Sequence, residues 1–145
     1  MASNVVVRDI MTKDIHIVRN DTSVAEVVAT MAKYDADYII VEMSGKPTGI
    51  ITEHDIIVRL VTQNIAPSAV IARMVYTNPI FTIDENATVE EAVKQMKHWG
   101  VKHLPVTGPK GELLGVLTAE NVMFAVPSMV SALEEICRPG FKRIR

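Results

Sequence analysis

Twice in this chain a threonine stands three residues ahead of a hydrogen-bonding side chain, in Thr52-Glu53-His54-Asp55 and in Thr118-Ala119-Glu120-Asn121. A carboxylate such as Asp55 can accept two hydrogen bonds from a vicinal diol, and a helix N-terminus favours an anion beside it. The same spacing also suits a capping box, in which both side chains are spent on the helix's own first turn. The residues alone leave both readings open. Asn121 can donate and accept but lacks the charge that makes such a bond about twice as strong. His54, Arg59 and Arg73 are cations that could reach a phosphate, and exposed helix positions suit each of them equally. The stretch of the first half matching Lys102-His103 is Asp37-Tyr38, which is acidic.

Reaction chemistry is thinly provided. The four histidines and one cysteine show no zinc-type spacing. No glycine-rich phosphate loop is present. Glu90-Glu91 and Glu134-Glu135 are adjacent, so on a helix their side chains diverge. The chain is therefore expected not to be an enzyme and to require no cofactor or metal.

Elements must hold these residues, and the chain writes them twice. One offset pairs Ser23 with Thr88, Glu26 with Glu91, Met31 with Met96, and Tyr38-Ile39-Ile40-Val41 with His103-Leu104-Pro105-Val106. After a one-residue insertion, Gly49 to Ile56 meets Gly115 to Val122. Upstream, Ile10-Met11 matches Arg73-Met74 at a different spacing. In each copy a Ser or Thr with a Glu three residues on reads as a capping box. The apolar stripe Val24, Val27, Val28, Met31 recurs at Val89, Ala92, Val93, Met96, which is helical spacing. A short apolar run, a turn at Ser44-Gly45-Lys46-Pro47 or Gly108-Pro109-Lys110-Gly111, and a second run predict a hairpin. It leads into a second helix with Ile56, Ile57, Leu60 and Val61 apolar. Residues 64–68 read as the connector between copies.

Composition suits such a fold. The 145 residues are 48% hydrophobic and 22% charged, enough to bury a core. The net charge of -2 gives no general attraction to nucleic acid, and the basic residues Arg138, Lys142, Arg143 and Arg145 read as a solvated terminus. Cys137 is single, so no intrachain disulfide can form, which fits a reducing cytoplasm. No signal peptide is read at the start, because Arg8 and Asp9 interrupt the first apolar stretch. The tract from Val122 to Leu133 is too short to span a bilayer.

Asp9-Ile10-Met11-Thr12, Pro105-Val106 and Gly49-Ile50-Ile51-Thr52-Glu53-His54-Asp55, in this order within a repeat, resemble the CBS-domain family over residues 7–126. The resemblance implies an α+β fold of two pseudo-twofold-related β-α-β-β-α repeats: a CBS domain at 7–63, another at 71–126, and a C-terminal helix with basic tail at 127–145. It implies two clefts that take AMP, ADP, ATP or S-adenosylmethionine. Carried over residue by residue, it puts Thr52 and Asp55 on the ligand, with Asp55 on the ribose hydroxyls, and Thr118 and Asn121 in the second cleft. Lys102 and His103 would meet phosphates, with Tyr38 at the matching place of the first copy. The base would lie against Lys13, Asp14 and Ile15, and against Thr77, Asn78, Pro79 and Ile80. Asn121 departs from the family's Asp, so the cleft holding Asp55 is expected to bind better.

The function expected is a regulatory, nucleotide-binding module that senses an adenosine ligand and signals to an unidentified partner. A ligand-independent assembly module is the alternative, and a nucleic-acid-binding regulator through the basic tail a more distant one. Assembly as a homodimer, away from membranes, is expected. Pro127 suits the start of a last helix, whose stripe Met129, Val130, Leu133, Ile136 and Cys137 would add dimer contacts before Arg138-Pro139-Gly140 stops it.

Overall fold

A computed structural model describes residues 5–77 and 80–138. Pro79, Asn78 and the tail residues Pro139, Gly140, Lys142, Arg143 and Arg145 lie outside the described residues. The fold is mixed α+β, with two three-stranded sheets.

The first sheet has the order β1-β2-β3: β1 (Ile17–Arg19) runs parallel to β2 (Tyr38–Met43), and β2 runs antiparallel to β3 (Lys46–Thr52). Between β1 and β2 the chain forms α2 (Val24–Tyr34); a short α1 (Val7–Ile10) comes before β1 in the chain. Ser44 and Gly45 both take positive φ, 54° and 79°. That is the backbone of a two-residue hairpin whose twist matches its strands. After β3 comes α3 (Glu53–Ile56), which continues into a π-helical turn at Ile57–Val61.

The second sheet repeats this order. β4 (Ile83–Asp84) is parallel to β5 (His103–Thr107), which is antiparallel to β6 (Leu113–Thr118). Here α4 (Val89–Trp99) links β4 to β5, and α5 (Ala119–Ala125) and α6 (Val130–Cys137) follow β6.

The expected apolar stripes are the helices' buried faces: Val24, Val27 and Met31 on α2, and Val89, Ala92, Val93 and Met96 on α4. At the starts of α2 and α4 the expected capping boxes form only their hydroxyl half. Ser23 accepts from the Ala25 N–H and Thr88 from the Glu91 N–H, while Glu26 and Glu91 return no bond to the cap residue. Other chain segments supply acceptors there: Val24 N–H donates to the Val70 carbonyl and Val89 N–H to the Val5 carbonyl.

The two compact units do not follow the linear order of the copies. Among the described residues, 5–14 group with 81–138, and those from 15 to 80 form the other unit. The opening segment of the chain thus packs with the second sheet, and the segment before Thr77 packs with the first. The backbone bonds are equivalent: Val7 N–H to Ala87 O at 2.9 Å answers Ala72 N–H to Thr22 O at 2.8 Å. Thr12 bridges to Val116 as Thr77 bridges to Ile50. This corrects the sequence match of Met11 with Met74. Met11 corresponds to Tyr76, and the offset of the helices extends unbroken to the chain's opening segment.

Two further expectations change. Of the second helix's apolar residues, Leu60 is buried but Ile57 and Val61 are 53% and 67% exposed. The π turn that begins at Ile57, closed by Thr62 N–H on the Ile57 carbonyl, rotates Val61 off the α-helical stripe. On α6, Leu133 and Ile136 are buried in the core of their own unit, with Met129, Ala132 and Cys137 packed beside them. The centre of that stripe is thus covered by its own chain, while Met129 and Cys137 are half-buried and Val130 is exposed. Among the described residues, no helix is long and apolar enough to cross a membrane.

Candidate functional site

Each unit builds one polar centre where its last strand enters a helix. In the first, β3 ends at Thr52 and α3 starts at once, so Thr52 is the N-cap. The Asp55 N–H donates to Thr52 Oγ1 at 3.3 Å, and the Thr52 N–H donates to Asp55 Oδ2 at 2.9 Å. The capping box of the sequence reading is therefore formed. The Thr52 hydroxyl also donates to Asp55 Oδ2 at 3.1 Å.

Two more donors converge on this carboxylate from farther along the chain or helix. The Thr77 hydroxyl lies 3.0 Å from Oδ1 and 3.1 Å from Oδ2, and Arg59 Nε lies 3.4 Å from Oδ1. Asp55 is only 1% exposed. A charge this buried is tolerable because the guanidinium and the hydrogen bonds replace its water. Thr77 is carried there by its own backbone, whose N–H donates to the Ile50 carbonyl at 2.8 Å. The close approach explains a glycine: a Cβ at Gly49 would fall inside the Tyr76 ring.

The second centre has the same frame without the charge. Thr118 N–H donates to Asn121 Oδ1 at 2.9 Å, and Asn121 N–H donates to Thr118 Oγ1 at 3.0 Å. The Thr12 hydroxyl donates to Asn121 Oδ1 at 3.2 Å. A Cβ at Gly115 would lie 2.7 Å from the Thr12 carbonyl oxygen. The residue matching Arg59 in the alignment is Ala125, so no cation stands on α5. Asn121 is half-buried.

The other residues singled out from sequence fall into two groups. Tyr38 pairs with Thr52 across β2–β3, and His103 pairs with Thr118 across β5–β6, so both adjoin their centres. Lys102 is exposed, and its carbonyl accepts from Ala119 N–H at the start of α5. Lys13 and Asp14 are exposed and Ile15 and Ile80 half-buried. No hydrogen bond joins any of these four to the Asp55 or Asn121 side chains. Exposure also describes His54 and Arg73. Sequence reasoning missed Thr12, the mate of Thr77. Extending the helix offset upstream, past the apparent Ile10-Met11 match, would have found it.

Among the described residues, no three His, Cys, Asp or Glu side chains gather as metal ligands. Every buried side-chain polar atom among them is hydrogen-bonded.

The sequence model of the CBS domain matches residues 7–62 and again residues 72–128. The chain belongs to the CBS domain family. An uncharacterized protein of Methanopyrus kandleri is 37% identical over 97 residues, which cover 67% of this chain and 50% of that protein. The chain thus corresponds to about half the length of that relative. A conserved CBS domain protein of Thermoplasma acidophilum has a similar fold, with TM-score 0.82 at 20% identity over 97% of this chain and 81% of that one. A CBS domain pair solved in complex with 5′-methylthioadenosine and S-adenosyl-L-methionine superposes with TM-score 0.73 at 22% identity, covering 83% of this chain and 98% of that one. At these identities the structural likenesses establish the CBS-pair fold alone. Within that fold, Thr52–Asp55 and Thr118–Asn121 are the two strand-to-helix turns of the pair.

Proposed function

We propose that this CBS pair is a regulatory module that binds an adenosine-type ligand, with Asp55 receiving the ribose hydroxyls, and passes its occupancy to a partner protein. The observation carrying the proposal is the Asp55 carboxylate: a buried anion fixed by a capping box and Arg59, at a strand-to-helix turn that exists in charged form in only one copy. A fixed carboxylate is pre-organised for a vicinal diol, so little ordering is lost on binding. The similar CBS pair that holds 5′-methylthioadenosine and S-adenosyl-L-methionine supports the ligand class.

In this proposal Thr52 and Tyr38 flank the ribose and the Thr77 backbone approaches the base, while Ile80, Lys13, Asp14 and Ile15, and with them Pro79, keep the base contacts and Lys102 and His103 the phosphate contacts that the family resemblance implies. Thr118 and Asn121 form the weaker second site. The chain acts without catalysis, in the cytoplasm, through domains at 7–63 and 71–126. A thermal-shift panel of AMP, ADP, ATP, S-adenosylmethionine and GTP tests it. A ligand at about 100 times its dissociation constant adds about 2.7 kcal/mol of stability. Absence of a shift with every adenosine compound at millimolar concentration would overturn the reading.

One observation favours assembly as an additional role. Ile57 and Val61 on the π turn, and Phe124 on α5 at 85% exposure, present large apolar side chains to solvent. Such surface is commonly covered by another chain, and a homodimer is the proposed occupant.

A further inference from the structure

A carboxylate has about four lone-pair positions, and a vicinal diol needs two of them. The capping bonds from Thr52 occupy only Oδ2. Arg59 Nε sits against Oδ1 at 3.4 Å, a long contact. What fills the remaining space is the Thr77 hydroxyl, at 3.0 Å from Oδ1 and 3.1 Å from Oδ2. It straddles the two oxygens, as an arriving hydroxyl would. In this arrangement Asp55 is 1% exposed, so a ligand diol reaches it only after the groups around it, Thr77 among them, give way.

We infer that Thr77 is an internal competitor for the Asp55 carboxylate, a side-chain hydroxyl standing where a ligand's diol must sit and setting the affinity of the site. The inference rests on the proposed diol contact at Asp55. Capping and ligand binding are then compatible. The Thr52 bonds hold the helix start in both states, while Thr77 yields its acceptors to the ligand. The movement required is small. The Thr77 backbone is fixed by its N–H on the Ile50 carbonyl at 2.8 Å, so its hydroxyl leaves by a change of side-chain rotamer. The cost of breaking its bond to a charged acceptor is subtracted from ligand affinity. Thr12 holds the same place on Asn121 at 3.2 Å, against an uncharged oxygen.

Thr77→Val keeps the side-chain shape and removes the donor, and Thr77→Ser keeps the donor. Calorimetric titration of the full chain with AMP and adenosine should show Thr77→Val binding roughly tenfold tighter than the natural sequence, with no such gain for Thr77→Ser, which keeps the donor. For 2′,3′-dideoxyadenosine, which has no diol, the gain should vanish. If valine disturbs the strand bridge, as a melting curve would reveal, Thr77→Ala gives the same comparison. Equal or weaker binding of AMP by the valine and alanine variants, while the natural chain binds it, would overturn the competitor role and leave the diol reading standing. Failure of every protein to bind any adenosine compound would overturn both.

Discussion

Asp55 carries two loads that mutation can separate. Its side chain caps α3, neutralises Arg59 and accepts from Thr77 while almost fully buried. Removing it strands the buried Thr52 donors and takes the partner from the one-third exposed Arg59, and buried donors left unpaired are costly. Asp55→Ala is expected to lose about 2–4 kcal/mol of stability, and Asn121→Ala about 1 kcal/mol, since Asn121 is a neutral, half-buried cap. Denaturant unfolding of the two variants checks this, and equal losses would deny Asp55 its special place. Asp55→Asn retains an acceptor for the Thr52 N–H and deletes the charge. It is the variant in which adenosine affinity should fall without a collapse of the fold. The capping reading and the diol reading looked like rivals in the sequence because both need the same two residues at the same spacing.

At the scale of elements, each strand–helix unit is completed by a segment remote from it in sequence, and glycine makes that possible. Residues 11–12 lie against β6 and residues 76–77 against β3, so close that any Cβ at Gly115 or Gly49 collides. The two collisions differ in kind. Gly49 meets the Tyr76 side chain, which can be trimmed, whereas Gly115 meets the Thr12 backbone carbonyl at 2.7 Å, which cannot. Each glycine-to-alanine change is expected to cost about 1–3 kcal/mol. Adding Tyr76→Gly should recover part of the Gly49→Ala loss, and no trimming of Met11 should recover all of Gly115→Ala. Chemical denaturation of the single and double variants decides the point. Recovery to the same degree at both sites would refute the backbone argument. The helices themselves were legible: their stripes and caps depend on neighbours three or four residues away. The π turn was not, because nothing in Ile57-Val58-Arg59-Leu60-Val61 differs in pattern from an α-helix.

For the whole molecule, assembly is the property on which sequence and structure part. The stripe of α6 looked like spare apolar surface, but Leu133 is fully buried within its own unit. Exposed apolar side chains lie instead at Ile57, Val61 and Phe124. Light scattering is expected to report a dimer for the full chain. Val61→Asp or Phe124→Asp should shift it to a monomer with an unchanged melting curve, since these side chains add little to the fold. A monomeric natural chain, or dimers untouched by both substitutions, would sink this assignment.

The amino-acid sequence determined the duplication, the order of elements in each copy, the buried face of α2 and α4, and the Thr-x-x-Asp and Thr-x-x-Asn turns. All of these are set by interactions between residues a few positions apart, so spacing is enough to read them. Tertiary structure alone decided that the opening segment of the chain groups with the second sheet. It also decided that Thr77 reaches Asp55 across 22 residues and Thr12 reaches Asn121 across 109. Those contacts exist because each sheet leaves an edge and a core gap that only a distant segment fills. No local periodicity records which segment that is.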